Sequence, residues 1–278
     1  MGTLLGLEEL IKRSLAEDIG TGDITTLACV PESATADAKL IAKEPGILCG
    51  IDIFKRVYAI YDSAVKVETR KLDGDLLVER DLIATVTGPA RSVLTGERVA
   101  LNLLQHLSGV ATQTGKFADA VSGYKTKIVD TRKTTPGLRV LEKYAVRVGG
   151  GANHRFSLQD GVLIKDNHIK AAGSITLAVN AARSAAPFTL KIEVECETFE
   201  QVREALDCGA DIIMLDNMTT AQMREAVAII GGKAITEASG NMGDKNVAEV
   251  AATGVDVISI GALTHSVRAL DISLKFNG

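Results

Sequence analysis

Residues Lys191 to Glu195 read KIEVE, and this alternation decides how the second half of the chain is built. In an extended strand successive side chains point to opposite faces. Ile192 and Val194 therefore share one face, and Lys191, Glu193 and Glu195 share the other. Working outward, short apolar runs at residues 127–130, 162–166, 189–196, 211–215, 234–237 and 255–260 alternate with helical stretches at 174–185, 199–206, 221–230 and 246–252. Strand and helix in alternation predict parallel strands joined by crossover helices. If the apolar face of KIEVE meets those helices, its charged face points inward. Parallel barrels lack the solvated edge strand that would otherwise carry this pattern.

The choice lies between an open doubly wound sheet and a barrel. Most of the runs end in a chemically active residue: Asp130, Lys165, Glu195, Asp216, Glu237, then Ser259 and Gly261. An open sheet gathers its ligand contacts at one switch point. Groups from many strand ends meet only when the strands close into a ring. About six units are present, fewer than the eight of a full barrel, so the sequence predicts an incomplete α/β barrel.

The first half is organised differently. Leu4, Leu7, Leu10, Ile11 and Leu15 recur at helical spacing, which predicts an opening amphipathic helix. EDIGTGDIT (residues 17–25) reads as a loop from its glycines and aspartates. Strands are expected at 39–42, 65–69 and 82–87, with one short helix among them. Gly88-Pro89 then breaks the chain before a long helix from about Arg91 to Leu107. Residues 271–276 read as one more strand that returns to this first half.

Composition narrows the function. The 278 residues are 46% hydrophobic and 24% charged, with a net charge of -4. That charge gives no global support to nucleic-acid or membrane-surface binding, so an anion site must be a local concentration of basic side chains. The four cysteines, Cys29, Cys49, Cys196 and Cys208, form no CxxC pair and suggest neither a zinc site nor a disulfide scaffold. No apolar run reaches the ~20 residues of a membrane span. The opening residues do not resemble a signal peptide, so the expected compartment is the cytoplasm.

Several loops carry chemistry. DTRKTTPGLR (Asp130 to Arg139) places Arg132 and Lys133 together, a fork and a point charge suited to carboxylates and phosphates, although a solvated basic loop has the same look. GGGANHRF (Gly149 to Phe156) joins three glycines to His154 and Arg155; it reads as a close backbone approach to a ligand or as a flexible linker. Lys165 ends the apolar run of LIKDNH, where it either needs a counter-charge or already lies past the strand in water. Glu195 and Asp216 put carboxylates on neighbouring strand ends, suited to ribose hydroxyls or to a Mg²⁺ held with a polyphosphate. EASGN (Glu237 to Asn241) and SIGALTHS (Ser259 to Ser266) end strands with small residues whose backbone amides can hold anions. Arg98 and His106 on the long helix read most simply as surface or packing residues.

Taken together, EDIGTGDIT, ERVALNLLQHLSG, DTRKTTPGLR, GGGANHR, LIKDNH, EVE, MLDN, EASGN and ISIGALTHS resemble the quinolinate phosphoribosyltransferases over Glu17 to Ser266, nearly the whole chain. The resemblance implies a type II phosphoribosyltransferase-like subunit. An N-terminal α/β sandwich domain would span residues 1–108, rejoined by 267–278, and an incomplete α/β barrel would span 109–266. It implies a homodimer in which the sandwich of one subunit covers the barrel of the other, bringing Arg98 to the neighbouring site; a hexamer of three dimers is an allowed further assembly. It implies transfer of phosphoribose from phosphoribosyl pyrophosphate to quinolinate with decarboxylation, assisted by Mg²⁺. Carried over by motif, Lys133, Lys165, Glu195 and Asp216 would be catalytic. Substrate contacts would come from these four and from Arg98, Thr131, Arg132, His154 and Arg155. Phosphate would sit at Ser239, Gly240 and Asn241 and at Ile260, Gly261 and Ala262, with His265 assisting. A transferase for nicotinate or another ring acid, and a barrel that binds phosphorylated metabolites without catalysis, are the competing readings.

Overall fold

The structure is a computed structural model that describes residues 6–277; Leu4 of the opening helix pattern lies outside them. The first elements are α1 (Leu7–Ile19), α2 (Ile24–Cys29), β1 (Thr35–Ala42), β2 (Gly46–Ile47), α3 (Ile51–Tyr61), β3 (Lys66–Thr69), β4 (Leu76–Leu77), β5 (Leu82–Pro89) and α4 (Ala90–Ala120). Then come β6 (Lys127–Val129), α5 (Arg139–Val148), β7 (Val162–Ile164), α6 (Asp166–Ala172), α7 (Ile175–Ala185), β8 (Ile192–Cys196), α8 (Phe199–Asp207), β9 (Ile212–Asp216), α9 (Thr220–Ile230) and β10 (Ile235–Ser239). The last are α10 (Val247–Ala251), β11 (Val257–Ser259), α11 (Ala262–His265) and β12 (Ile272–Phe276).

The chain divides into two compact units. One runs through Gly115 and takes in Pro136–Gly149 and the segment from Val267; the other comprises Lys116–Thr135 and Gly150–Ser266.

The first unit holds an antiparallel sheet in the order β12-β1-β5-β3. Along β1 the alternation buries Ala36, Ala38, Leu40 and Ala42 on one face. Leu40 stands opposite Ala84 of β5 on one side and Leu274 of β12 on the other, so the late strand completes the early sheet. α3 buries Phe54 and Tyr58, whose rings meet edge to face at 5.3 Å. At Gly109, α4 passes so close to the segment before β12 that an added Cβ would strike the carbonyl oxygen of Arg268.

The residue 17–25 segment is less of a loop than its composition suggests. α1 continues to Ile19, and the Asp23 carboxylate accepts the Thr26 amide at 2.9 Å to cap α2. The expectation that 109–266 forms one barrel domain differs from the observed grouping, because α5 packs in the first unit. There Glu142 pairs with His106 at 2.8 Å, and the Tyr144 hydroxyl donates to Asp73 at 2.7 Å.

The second unit is built on a parallel sheet of six strands in the order β6-β11-β10-β9-β8-β7. It curls into an incomplete barrel with β6 and β7 at its edges. Val194, Ile213, Leu215, Ala238 and Ile258 are buried on the face opposite Glu193, where the sheet meets its crossover helices. Ala152 joins β6 in parallel through Val129, and its amide donates to the Ile128 carbonyl at 2.8 Å. The glycine-rich segment is therefore docked to the barrel rather than forming a loose linker. β10 runs on to Ser239, so Glu237 lies in mid-strand and not at a strand end as its run suggested.

Candidate active site

The C-terminal edge of the barrel begins at Asp130, immediately after β6 and fully buried. Its carboxylate accepts from Asn153 Nδ2 at 2.6 Å and from the His154 amide at 2.9 Å. This anchors the segment that carries Arg155. The loop after Asp130 turns at Thr131, whose hydroxyl accepts the Lys133 amide at 3.0 Å. The Lys133 carbonyl accepts the Thr264 hydroxyl at 2.7 Å, and its side chain lies against Gly261, where a Cβ would come within 3.0 Å of Lys133 Cδ and 3.1 Å of the His265 ring. Thr131, Lys133, Gly261 and His265, far apart in sequence, are thus neighbours.

Lys165 lies one residue past β7 with its side chain 48% exposed, so the solvent-side reading of its position is correct. It still has a counter-charge: Nζ donates to Glu195 Oε2 at 2.6 Å. Asp216 ends β9 beside Ser239 of β10 and accepts from Asn217 Nδ2 at 2.6 Å. The loops after these strands interlock. Gly240 has φ +94°, and a Cβ there would fall 2.8 Å from the Asn217 amide nitrogen; Asn217 and Asn241 themselves adopt left-handed φ of 55° and 50°. Ile260 is buried and donates its amide to the Val129 carbonyl at 2.9 Å, which fixes the turn into Gly261 and Ala262. Arg98 is exposed on α4 in the first unit.

Inside the barrel the inward face of KIEVE has an unexpected partner. Glu193 and Glu237, each 3% exposed, converge on His154 Nε2 at 3.2 and 3.4 Å. Burial opposes charge on the ring, but hydrogen bonds to the two carboxylates outweigh it and raise the His154 pKa to about 10. Burial likewise raises Glu193. The Arg155 amide donates to His154 Nδ1 at 2.8 Å, so that nitrogen is an acceptor and the ring faces the two glutamates through Nε2.

Beside it Arg155 is half-buried and donates from Nη1 to the Gly161 carbonyl at 2.8 Å. Its pKa is lowered first by burial and then by the like charge of Arg132. The alternation of KIEVE pointed to Glu193, but nothing local pairs it with Glu237 or His154, which lie on distant parts of the chain.

A cavity of about 340 Å³ is lined by His154, Arg155, Glu193 and Glu237 and extends to Val162 and Ile212 at the N-terminal ends of the strands. A larger one, about 520 Å³, lies beside Lys125, Asp211 and Asp256 and contains none of the strand-end residues above. Size is therefore a poor guide here. Cations, carboxylates and glycine loops gather instead at the C-terminal edge, the end where barrels of this kind place their sites.

An incomplete parallel barrel with Arg132, two lysines and two small-residue loops at one rim, and Arg155 beside them, is the framework of an enzyme for acidic, phosphorylated substrates. Its N-terminal part matches the N-terminal domain of quinolinate phosphoribosyl transferase over residues 23–108, and its remainder matches the C-terminal domain over 110–275. The chain belongs to the quinolinate phosphoribosyl transferase family. It is 48% identical to the probable nicotinate-nucleotide pyrophosphorylase [carboxylating] of Bacillus subtilis (strain 168), covering 97% of this chain and 93% of that one. It is 43% identical to the quinolinate phosphoribosyltransferase [decarboxylating] 2b, mitochondrial, of Nicotiana tabacum, covering 98% and 82%. The crystal structure of NadC from Streptococcus pyogenes superposes with a TM-score of 0.92 at 42% identity, over 100% of both chains.

Proposed function

We propose that this protein transfers the phosphoribosyl group of phosphoribosyl pyrophosphate to the ring nitrogen of quinolinate with loss of carbon dioxide. The products are nicotinate mononucleotide and pyrophosphate, and the step belongs to NAD biosynthesis. The observation that carries the reading is the gathering of strand-end groups at the C-terminal edge of the barrel: Lys165 paired with Glu195 at 2.6 Å, Asp216 beside Ser239, and Lys133 against Gly261 and His265. Cations beside small-residue loops suit carboxylates and phosphates. A ring bearing two carboxylates and a donor bearing a phosphate and a pyrophosphate supply both.

The chemistry follows from the arrangement. The ring nitrogen's lone pair forms a bond to the anomeric carbon while the carbon–oxygen bond to pyrophosphate breaks and its electrons leave with pyrophosphate. Positive charge develops on the ribose, as in other glycosyl transfers. Glu195 and Asp216, on the adjacent strands β8 and β9, orient the ribose hydroxyls and face that charge. Lys133 and Lys165 neutralise departing or acidic groups. The nitrogen, now positively charged, draws in the electron pair released when the neighbouring carboxylate departs as carbon dioxide, and a proton from solvent fills the vacated ring position. Arg132, Arg155, Thr131 and His154 serve the acid. The loops at Ser239, Gly240 and Asn241 and at Ile260, Gly261 and Ala262, with His265, serve phosphate.

Magnesium takes hard oxygen ligands. Glu195 and Asp216 offer them at one rim of the barrel, so these residues suit an ion that arrives with the donor's pyrophosphate. Bound there, Mg²⁺ would supply charge neutralisation to the leaving group. We place the protein in the cytoplasm as a homodimer, with Arg98 reaching the partner's site and three dimers able to form a hexamer. None of the described helices is long and apolar enough to cross a membrane.

The test is an assay of the purified protein with Mg²⁺, phosphoribosyl pyrophosphate and quinolinate labelled in the carboxyl group next to nitrogen. Donor-dependent release of label with formation of nicotinate mononucleotide is expected. A folded protein that consumes nicotinate instead, or binds the donor without releasing pyrophosphate, would overturn the assignment.

A further inference from the structure

Two glutamates buried around one histidine are an odd way to stabilise a barrel. Each carboxylate loses its water, and Oε1 of both Glu193 and Glu237 is buried without a hydrogen-bond partner. Apolar side chains of the same size would leave the core more stable. Such an arrangement points to a task outside folding.

The hydrogen bonds show what the task is. His154 uses both ring nitrogens within the protein: Nε2 faces the two glutamates, and Nδ1 accepts the Arg155 amide. A neutral imidazole that accepts at Nδ1 carries its proton on Nε2. The three side chains are also spaced like the ligands of a cation, but a protonated Nε2 cannot ligate one. The ring is therefore fixed in tautomer and orientation from below, and it fixes in turn the backbone from which the Arg155 guanidinium extends. Asp130 holds the same segment from the other side through Asn153 and the His154 amide.

We propose that Glu193 and Glu237 are positioning residues for the acid-binding end of the site, acting through His154 on Arg155. The proposal rests on the assignment of Arg155 to quinolinate made above. It predicts a selective defect. Arg155 holds the acid equally in the ground and transition states, so its misplacement raises KM for the acid and leaves kcat.

The experiment compares wild type, Glu193→Gln, Glu237→Gln, His154→Asn and the double variant His154→Asn/Glu237→Gln in steady-state kinetics and thermal unfolding. Each single variant should raise KM for quinolinate roughly tenfold, with KM for phosphoribosyl pyrophosphate and kcat nearly unchanged. The Gln variants should unfold at the same or a higher temperature than wild type, since a desolvated charge has been removed. The double variant should be no worse than His154→Asn, because the residues act in one chain. A lower unfolding temperature with unchanged quinolinate KM would assign the glutamates to packing and overturn the proposal, as would additive losses in the double variant. Should one Gln variant fail to fold, the other gives the same reading, and Glu237→Asp, with the charge kept and the reach shortened, should show the same KM split. A wild type inactive on quinolinate overturns the assigned reaction and this proposal together. An active wild type with indifferent variants overturns this proposal alone.

Discussion

Arg132 is the residue whose loss separates recognition from stability most cleanly. It is half-buried on a loop rather than in the core, so Arg132→Ala should leave the thermal midpoint close to wild type. Removing one of two cations that grip a dianion costs about 2–5 kcal/mol where the contact is desolvated, so kcat/KM for quinolinate should fall by about 30-fold or more. Near-normal turnover would remove Arg132 from the site. Arg132, Lys133 and Lys165 drew attention in the sequence because each follows an apolar run at the point where a parallel strand ends, whereas Arg155 stood out only through the glycines before it. The buried acids were only half legible. KIEVE turns Glu193 inward, but its partners His154 and Glu237 are set by how the strands close, which no local window contains. Lys133 and Gly261 are a similar case, made neighbours by a hydrogen bond from Thr264.

At the level of the elements, the loop after β10 is held in shape by backbone rather than by side-chain packing. Gly240 has a left-handed φ and Asn217 directly against it. Gly240→Ala would impose both a strained backbone, of order 1 kcal/mol or more, and a displacement of the loop after β9. Loss of affinity for phosphoribosyl pyrophosphate, with KM rising several-fold while quinolinate binding in a direct titration holds, is the expected result. An unchanged donor KM would remove this loop from the phosphate site. The elements were legible where period and breakers agreed, as in β8, β9 and the helices that follow them. They were misjudged where one signal masked another. The glycines at 20 and 22 concealed the Asp23 cap of α2. In α5 the two charged residues Glu142 and Lys143 lie on the buried face, which hides an otherwise amphipathic helix.

For the molecule as a whole, the closure of the barrel depends on its lower rim as well as its reactive one. There Asp256 accepts from the Thr236 amide and hydroxyl and from Lys125 Nζ at 2.7 Å, tying β10 to the segments leading into β6 and β11. Burial alone would raise its pKa, but the hydrogen bonds from Lys125 and Thr236 outweigh it and hold the carboxyl below its ordinary 3.8. A depressed carboxyl stabilises the fold fully above its ordinary pKa, and that contribution disappears as pH falls through the lower folded value. The gap in unfolding temperature between wild type and Asp256→Asn should therefore be widest near neutrality and shrink on acidification. A gap independent of pH would mean that the charge contributes nothing. The barrel's lower rim leaves no such trace in the sequence, where Asp256 looks like any polar residue before a strand. One further consequence follows from β12, which lies beside β1 although almost the whole chain separates them. On the ribosome, residues emerge in order, and domains generally fold as units as they appear. The barrel has all its strands before β12 is made, while β1 must wait with one edge unpaired, a template for any other strand it meets. The sheet that holds β1 is thus completed only after the barrel's strands are made, and the β1 edge stays open to mispairing until β12 emerges.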